Sequence, residues 1–534
     1  MGTETKYIIS VETGSSAVRA AAAQVTVESG EPRGRLTLFA VADEPLNNVV
    51  QYGRVINVEE VAAKTRTVLK RLQTSPELAG KPIVGVYAGI GGRSVHTVPA
   101  RVELPMPDEV EITQQVVERL QDQAIDSVDP RWEVLDIIPL GYNIDGTATM
   151  RPVGVYGRRV TADFNIVVCN PVNVRNLQRV IVDRCGLNIC GFVVQPLALA
   201  DMVLTAADTK PGCMLVDLGA QTTTVSIYKD NALRYLATIP MGSQHITNDL
   251  AHGLGIVEQQ AETVKIMRGN AIEAATNQSA EQRQIDKFVQ ARVIEIIANI
   301  VAQLDYAGFS SDSLRAGIVV TGQGAKLKNF SKLLEIQSHM TVRPAAVPTM
   351  VRLSVETRNA ADLLPLMAIS TEGAVLCNLP DTEPCVDVPV QQPEQPVIRI
   401  DSIVDSDNDN YDDNVPSFGG QTFGGQQTDS ETPHKDKAPN GRRRPDNDEY
   451  VLVDDDEAER LAEERRRREA EAQKRQAEKA ERERRDAERR AEKERKRRED
   501  AERRASQPSK WQIFTERAKR MIANLDGPDD GEDM

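Results

Sequence analysis

The sequence predicts an α/β protein: two related halves, a smaller subdomain inserted in the first, and a long tail of non-globular composition. Three observations predict it. Strand-like apolar runs alternate with segments of helical spacing up to about residue 380. One short pattern occurs twice, about 200 residues apart: an apolar strand ending in an acid, then a small-residue turn with hydroxyls. Beyond Leu379 the apolar content collapses, as it does in chains that cannot bury a core.

The first strand reads Tyr7-Ile8-Ile9-Ser10-Val11. The turn Glu12-Thr13-Gly14-Ser15-Ser16 follows, then apolar runs at Ala17–Val27 and Leu36–Val41, which make a hairpin-rich opening. Val58–Leu72 has helical spacing, with Val61, Val68, Leu69 and Leu72 on one side. Ile83–Tyr87 reads as a strand, Ile112–Ala124 as a helix, Trp132–Leu140 and Phe164–Val168 as strands, and 172–184 as a helix. The block 83–165 therefore fits an insert of strands and one helix. The second half opens at Met214–Gly219 and continues with the strand Thr223–Tyr228. Helices are expected at 243–253, 258–268 and 284–308. The strand Ala316–Val320 then runs into the turn Thr321-Gly322-Gln323-Gly324, with a helix over Lys328–Ile336.

Composition excludes several function classes. The net charge is −15, and no basic stripe marks the folded part, so no nucleic-acid partner is expected. The six cysteines (Cys169, Cys185, Cys190, Cys213, Cys377, Cys385) form no CxxC pair and have no His at metal spacing. They read as reduced thiols in a cytoplasm. Met1 is followed by polar residues, so no secretory leader is expected, and no window is apolar enough to span a bilayer.

The tail has three parts. Residues 380–456 have the composition of a disordered linker. Residues 457–505 are almost wholly Glu, Arg, Lys and Ala, with opposite charges three and four residues apart, which supports a solvated single helix. Leu461 is the only large apolar residue there, so a coiled-coil seam is absent. Fully helical, the segment spans roughly 75 Å at 1.5 Å per residue. Over 509–525, Trp511, Phe514, Ala518, Met521, Ile522 and Leu525 fall on one helical stripe, bordered by Lys510, Arg517 and Lys519. Such a helix lies flat in a membrane interface. Packing back on the body, or docking in a partner's groove, are the competing readings. The acids Asp526, Asp529, Asp530, Glu532 and Asp533 oppose anionic lipid, so single-copy binding is expected to be modest.

Four elements carry chemistry. In the first turn, Glu12 is placed to hold Mg²⁺ through water, Gly14 lets amides approach phosphate, and Ser15 and Ser16 add donors. In the second, Asp217, Gly219 and Thr222 repeat the arrangement. Either turn alone is also an ordinary hairpin; as a facing pair they clamp a triphosphate. Gly322 and Gly324 let backbone pack flat on a base or sugar, and also suit a plain strand-to-helix turn. Glu262 and Lys265 share one helical face and suit a ribose hydroxyl and a base edge, or a surface ion pair.

The order of these elements resembles the actin superfamily, a ribonuclease H-like two-domain fold. Within it the chain resembles FtsA, the bacterial actin-like cell-division family. The likeness is carried by Val11–Ser16, Val134–Pro139, Tyr142–Asp145, Arg151–Gly154, Arg184–Leu187, Gln195–Ala198, Val216–Gly219, Ile239-Pro240, Ile246–Ala251, Ala261–Lys265, Gly269, Arg292 with Glu295, and Gly317–Gly322. The resemblance covers about 5–375. It implies ATP and Mg²⁺ as cofactors, with subdomain 1A at 1–82 and 166–195, the FtsA-type insert 1C at 83–165, 2A at 196–240 and 316–379, and 2B at 241–315. It further implies self-association into filaments, capture of the C-terminal peptide of the tubulin-like FtsZ by 241–315, and recruitment of other division proteins by the insert. FtsA proteins end in a membrane helix, which favours that role for Trp511, Phe514, Arg517, Lys519, Met521, Ile522 and Leu525. Location is then the cytoplasmic face of the bacterial cell membrane, peripheral, at the division site.

The chain departs from the family pattern at the loops. Ala220 and Gln221 replace two glycines, Thr224 stands where Asp is usual, and Gln323 interrupts a Gly-Gly. A non-glycine residue at positive φ costs about 1–2 kcal/mol, so the second loop is expected to take another path. A scaffold, at most a weak ATPase, is expected. The alternatives are a pilus-assembly adaptor of the same fold, or an Hsp70-like or sugar-kinase ATPase.

Overall fold

The computed structural model describes residues 5–26, 35–273, 279–354, 359–379 and 382–387. The charged helix and the amphipathic helix over 509–525 lie outside the described residues, as does the predicted linker 380–456 apart from 382–387. There Cys385 and Val386 are buried, and Val386 bridges to Ile83, so the start of the linker at 380 is corrected: these apolar residues are held on the first half.

Strand β1 (Thr5–Thr13) is buried along Ile8, Ile9 and Val11, as suits a strand covered on both faces. It turns at Gly14–Ser16 into β2 (Ala17–Thr26), antiparallel, with Glu12 opposite Arg19. β3 (Arg35–Pro45) pairs with β2, and the small hairpin β4 (Val50–Gln51) and β5 (Arg54–Val55) follows. Helix α1 (Val58–Gln73) begins where the Asn57 side chain accepts from the Glu60 N–H, and buries Val61, Val68, Leu69 and Leu72 as its spacing predicts.

β6 (Gly85–Ile90) runs parallel to β1, with Ser10 beside Tyr87. All six of its residues are buried. This corrects the expected start of the insert at 83. A wholly apolar run belongs in the doubly covered sheet, so the insert's own sheet starts after β6. That sheet holds β7 (His96–Glu111), β8 (Glu133–Ile144), β9 (Thr147–Thr149) and β10 (Tyr156–Cys169) in the order β7-β10-β8-β9. Helix α2 (Gln114–Asp126) packs on it around Ile112, Leu120, Ala124 and Phe164. β7 is absent from the sequence reading. Pro99, Pro105 and Pro107 interrupt its strand pattern, and they are tolerated because β7 is an edge strand.

Helix α3 (Pro171–Gln178) continues into a π-helical turn over Arg179–Arg184, so the predicted helix 172–184 is one rod with a changed pitch. β11 (Asn188–Val194) lies parallel to β6, and α4 (Gln195–Val203) and α5 (Ala206–Thr209) lead across to the second half. There β12 (Cys213–Leu218), β13 (Thr223–Lys229) and β14 (Ala232–Ile239) form a meander. Helices α6 (Ser243–Leu254), α7 (Glu258–Arg268) and α8 (Ala280–Tyr306) follow, close to their predicted ranges. β15 (Ile318–Thr321), α9 (Phe330–Ser338) and β16 (Val342–Pro344) complete the sheet β14-β13-β12-β15-β16.

The chain then returns to the first half. β17 (Val351–Leu353) pairs with β3, giving the sheet β11-β6-β1-β2-β3-β17, and α10 (Leu364–Leu376) lies against β1 and α4. This corrects the assignment of the whole of 316–379 to the second half. α10 is apolar almost all round, so it needs cover on every side, and the first sheet supplies it. A first side-chain carbon on Gly373 of α10 would come within 2.8 Å of Tyr87 Cδ2 and 3.0 Å of Ile8 Cγ2. Gly373→Val is therefore expected to destabilise the body by about 1–3 kcal/mol, measured by urea denaturation.

Candidate functional site

The two halves face each other across a cleft of about 600 Å³. Its floor is made by the two turns that share one sequence pattern, and they also share one geometry. The Gly14 N–H donates to Ala17 O at 3.0 Å, and the Gly219 N–H donates to Thr222 O at 2.9 Å. Each loop is thus closed at its base by the same glycine-to-third-residue bond.

Glu12 ends the buried part of β1 and is 8% exposed. Its Oε1 accepts from Gln195 Nε2 at 3.2 Å, while Oε2 accepts no hydrogen bond. Arg19 Nη1 stands 3.7 Å from that oxygen. Asp217 occupies the matching place on β12. Loss of water, and secondarily the charge of Glu12, push its pKa up to about 6, against a smaller opposing pull from Arg19. The two acids therefore sense each other across the cleft floor. A pair of acids is expensive to bury, and Arg19 and the Gln195 bond offset part of that cost.

Gly322 has φ +89°, and a first side-chain carbon there would lie 2.4 Å from Leu218 O and 2.5 Å from Asp217 Oδ1. Only glycine lets this turn close onto the second loop. Gly324 does not reach the cleft lining. It packs beneath, where a side chain would meet Leu218 Cγ at 2.6 Å, which corrects its expected contact role. Neither Ala220 nor Gln221 sits at positive φ, so the loop carries no strain from the lost glycines.

On α7, Lys265 Nζ lies 2.7 Å from Glu262 Oε2 and donates to Thr247 Oγ1 at 2.9 Å and Ser243 O at 3.2 Å. Its three hydrogens all have acceptors within the protein. Lys265 is also buried, so it holds Glu262 in place and its ammonium is committed to that task. Glu12, Gly14, Ser15, Ser16, Asp217, Gly219, Thr222, Glu262, Lys265 and Gly322 all line the one cleft.

Sequence reasoning missed Arg19, Gln195, Ser243, Thr247 and Asp362, which line it too. The hairpin register that pairs Arg19 with Glu12 was a usable signal for the first. The others are brought in by folding from distant segments. Among the described residues no group of three or more His, Cys, Asp or Glu gathers to hold a metal. Two carboxylates beside anion-ready loop amides suit Mg²⁺, which keeps waters and shares phosphate oxygens.

A family profile described as "Cell division protein FtsA" matches residues 214–360, and one described as "SHS2 domain inserted in FTSA" matches 92–168. The cell division protein FtsA of Porphyromonas gingivalis is 30% identical over 370 residues, which cover 66% of this chain and 75% of that relative. The chain belongs to the FtsA family. The FtsA of Escherichia coli K12 is 26% identical, over 64% of this chain and 85% of its own. A solved structure, the "PilM-PilN type IV pilus biogenesis complex", has TM-score 0.50 and 16% identity, covering 69% of this chain and 97% of that one, which speaks to the fold alone. The fold is actin-like, and the SHS2 match falls on β7 to β10. Membership of the FtsA family displaces the sugar-kinase, Hsp70-like and pilus-adaptor alternatives.

The Asp217 carboxyl has a pKa of about 6 when folded and an ordinary value near 3.8 otherwise. Between those values the folded chain holds a proton that the unfolded chain releases. This group's contribution to stability therefore falls as pH rises from about 4 to about 6, and stays low above that. Asp217→Asn is neutral throughout. It is expected to gain about 1–3 kcal/mol above pH 6.5 and almost nothing at pH 4, in urea denaturation with a chelator present.

Proposed function

We propose that this chain binds Mg·ATP in the cleft between its halves, self-associates, and ties FtsZ to the membrane during cell division. The observation that carries the nucleotide reading is the pair of matched loops whose acids, Glu12 and Asp217, face one another beside Arg19. The amides and hydroxyls of Gly14–Ser16 and Gly219–Thr222 receive the phosphates. Arg19 neutralises phosphate charge. Glu12, steadied by Gln195, and Asp217 hold the metal through water. Glu262, held by Lys265 and Thr247, accepts from a ribose hydroxyl, and the flat Gly322 turn admits the base or sugar. Bound Mg²⁺ would offset phosphate charge and relieve the repulsion between the two acids. Thr224, in place of the family's Asp, supplies no carboxylate, so slow turnover is expected. Nucleotide then works chiefly to set the shape that self-associates.

The tether reading is supported by family membership and by the 509–525 stripe of Trp511, Phe514, Met521, Ile522 and Leu525 with Arg517 and Lys519 at its borders. Among the described residues no helix is long and apolar enough to cross a membrane. Many weak helices on one filament add avidity, which answers the acidic end 526–533. Residues 241–315 take the FtsZ peptide, the insert recruits other division proteins, and the charged segment 457–505 is the spacer between body and lipid.

Arg19→Ala is expected to weaken ATP binding about tenfold or more in isothermal titration, the scale of one charge-assisted hydrogen bond. Deleting 509–534 is expected to abolish co-sedimentation with anionic liposomes, with or without FtsZ and ATP, while thermal unfolding of the body stays unchanged. Full lipid binding by the truncated chain would overturn the tether.

A further inference from the structure

Two of the residues that replace family glycines make bonds that join the halves over the cleft. Gln221, on the β12–β13 loop of the second half, accepts from the Tyr52 N–H of the first half at 2.8 Å. Gln323, after β15, donates to Asp362 Oδ1 at 2.8 Å, and Lys326 pairs with the same carboxylate. Asp362 belongs to the short turn of helix just before α10, so it too moves with the first half. We propose that Gln221 and Gln323 form a two-sided latch that sets how fast nucleotide enters and leaves. The inference rests on the nucleotide-binding reading above.

Both ends of the Gln221 bond are held. Tyr52 stands at the tip of the β4–β5 hairpin with φ +50°, followed by Gly53 at +80°. The Gly53 N–H donates to Ser15 Oγ at 3.2 Å, and the Arg93 N–H donates to Tyr52 O at 2.9 Å. A first side-chain carbon on Gly53 would sit 2.4 Å from Gly92 Cα, so the tip is pressed flat on the next loop. On the other side, Gln221 Nε2 donates to Gln244 Oε1 at 2.8 Å, and Gln244 Nε2 donates to Glu258 Oε1 at 2.8 Å. A glycine at 221 or 323 has no side chain with which to do this.

The latch differs from a binding contact in what it changes. A carboxamide releases its partner by rotating, with no unfolding. It therefore governs the barrier to parting the rims, and that barrier applies to entry and exit alike. Losing one net hydrogen bond across a rim speeds both steps by about tenfold at most. The Lys326–Asp362 pair remains when Gln323 is removed, so Gln221 is the sharper test.

Stopped-flow mixing of the full-length chain with a fluorescent ATP analogue tests this. Gln221→Ala is expected to raise association and dissociation rates together, by about three- to tenfold, with Kd changed less than about threefold. Gln221→Ala with Gln323→Ala is expected to be faster still. Faster dissociation with unchanged association would make Gln221 a nucleotide contact and overturn the latch, as would unchanged rates. A second readout needs no nucleotide. Hydrogen exchange at the Tyr52 amide is expected to rise about tenfold in Gln221→Ala, and an unchanged rate would overturn the latch. If the wild-type chain binds no ATP analogue, the nucleotide reading fails, and Tyr52 exchange still decides whether the rims are latched.

Discussion

Two carboxylates, Glu12 and Asp217, must be held toward each other on the floor of one cleft, and much of the architecture serves that requirement. Withdrawal from water, and secondarily the charge of Glu12, disfavour the ionised form of Asp217 and push its pKa up to about 6. The surroundings supply what makes the arrangement tolerable: Arg19 from the neighbouring strand and a hydrogen bond from Gln195. The repulsion that remains is what the proposed Mg²⁺ would relieve.

Rigid elements deliver the two acids. β1 and β12 lie inside their respective sheets, flanked on both sides by paired strands, so each acid is carried on a strand that cannot shift register without turning its buried side chains outward. The loops that follow them are closed by the same short bond, from Gly14 to Ala17 and from Gly219 to Thr222. Further joints fix the halves beyond the cleft. Asn165 of the insert donates to Leu233 O and Arg234 O, and the Thr97 hydroxyl accepts from the Leu236 N–H. The insert thus braces the second half through β14, while Gln221 and Gln323 span the rims.

Much of this was legible in the chain because it is local. Burial on both faces makes β1, β6 and β12 continuous apolar runs, and the helices α1, α6 and α7 show their periodicity plainly. β7 was not legible, since its prolines read as breaks unless the strand is known to lie at an edge. The fate of α10 was hidden for a different reason. An all-round apolar helix announces that it will be buried, without saying against which sheet.

By itself the sequence determined the repeated strand–acid–glycine unit, and with it the residues proposed to meet phosphate and metal, because a turn's chemistry is set by its own few residues. It also determined, through order and spacing, the family to which the chain belongs. Tertiary structure decided what distance along the chain conceals. It turned Lys265 inward onto Ser243 and Thr247, put Gly324 under the cleft instead of in it, and set Gln221 against Tyr52. Side-chain partners 18 to 169 residues apart are chosen by packing, and no local pattern encodes that choice.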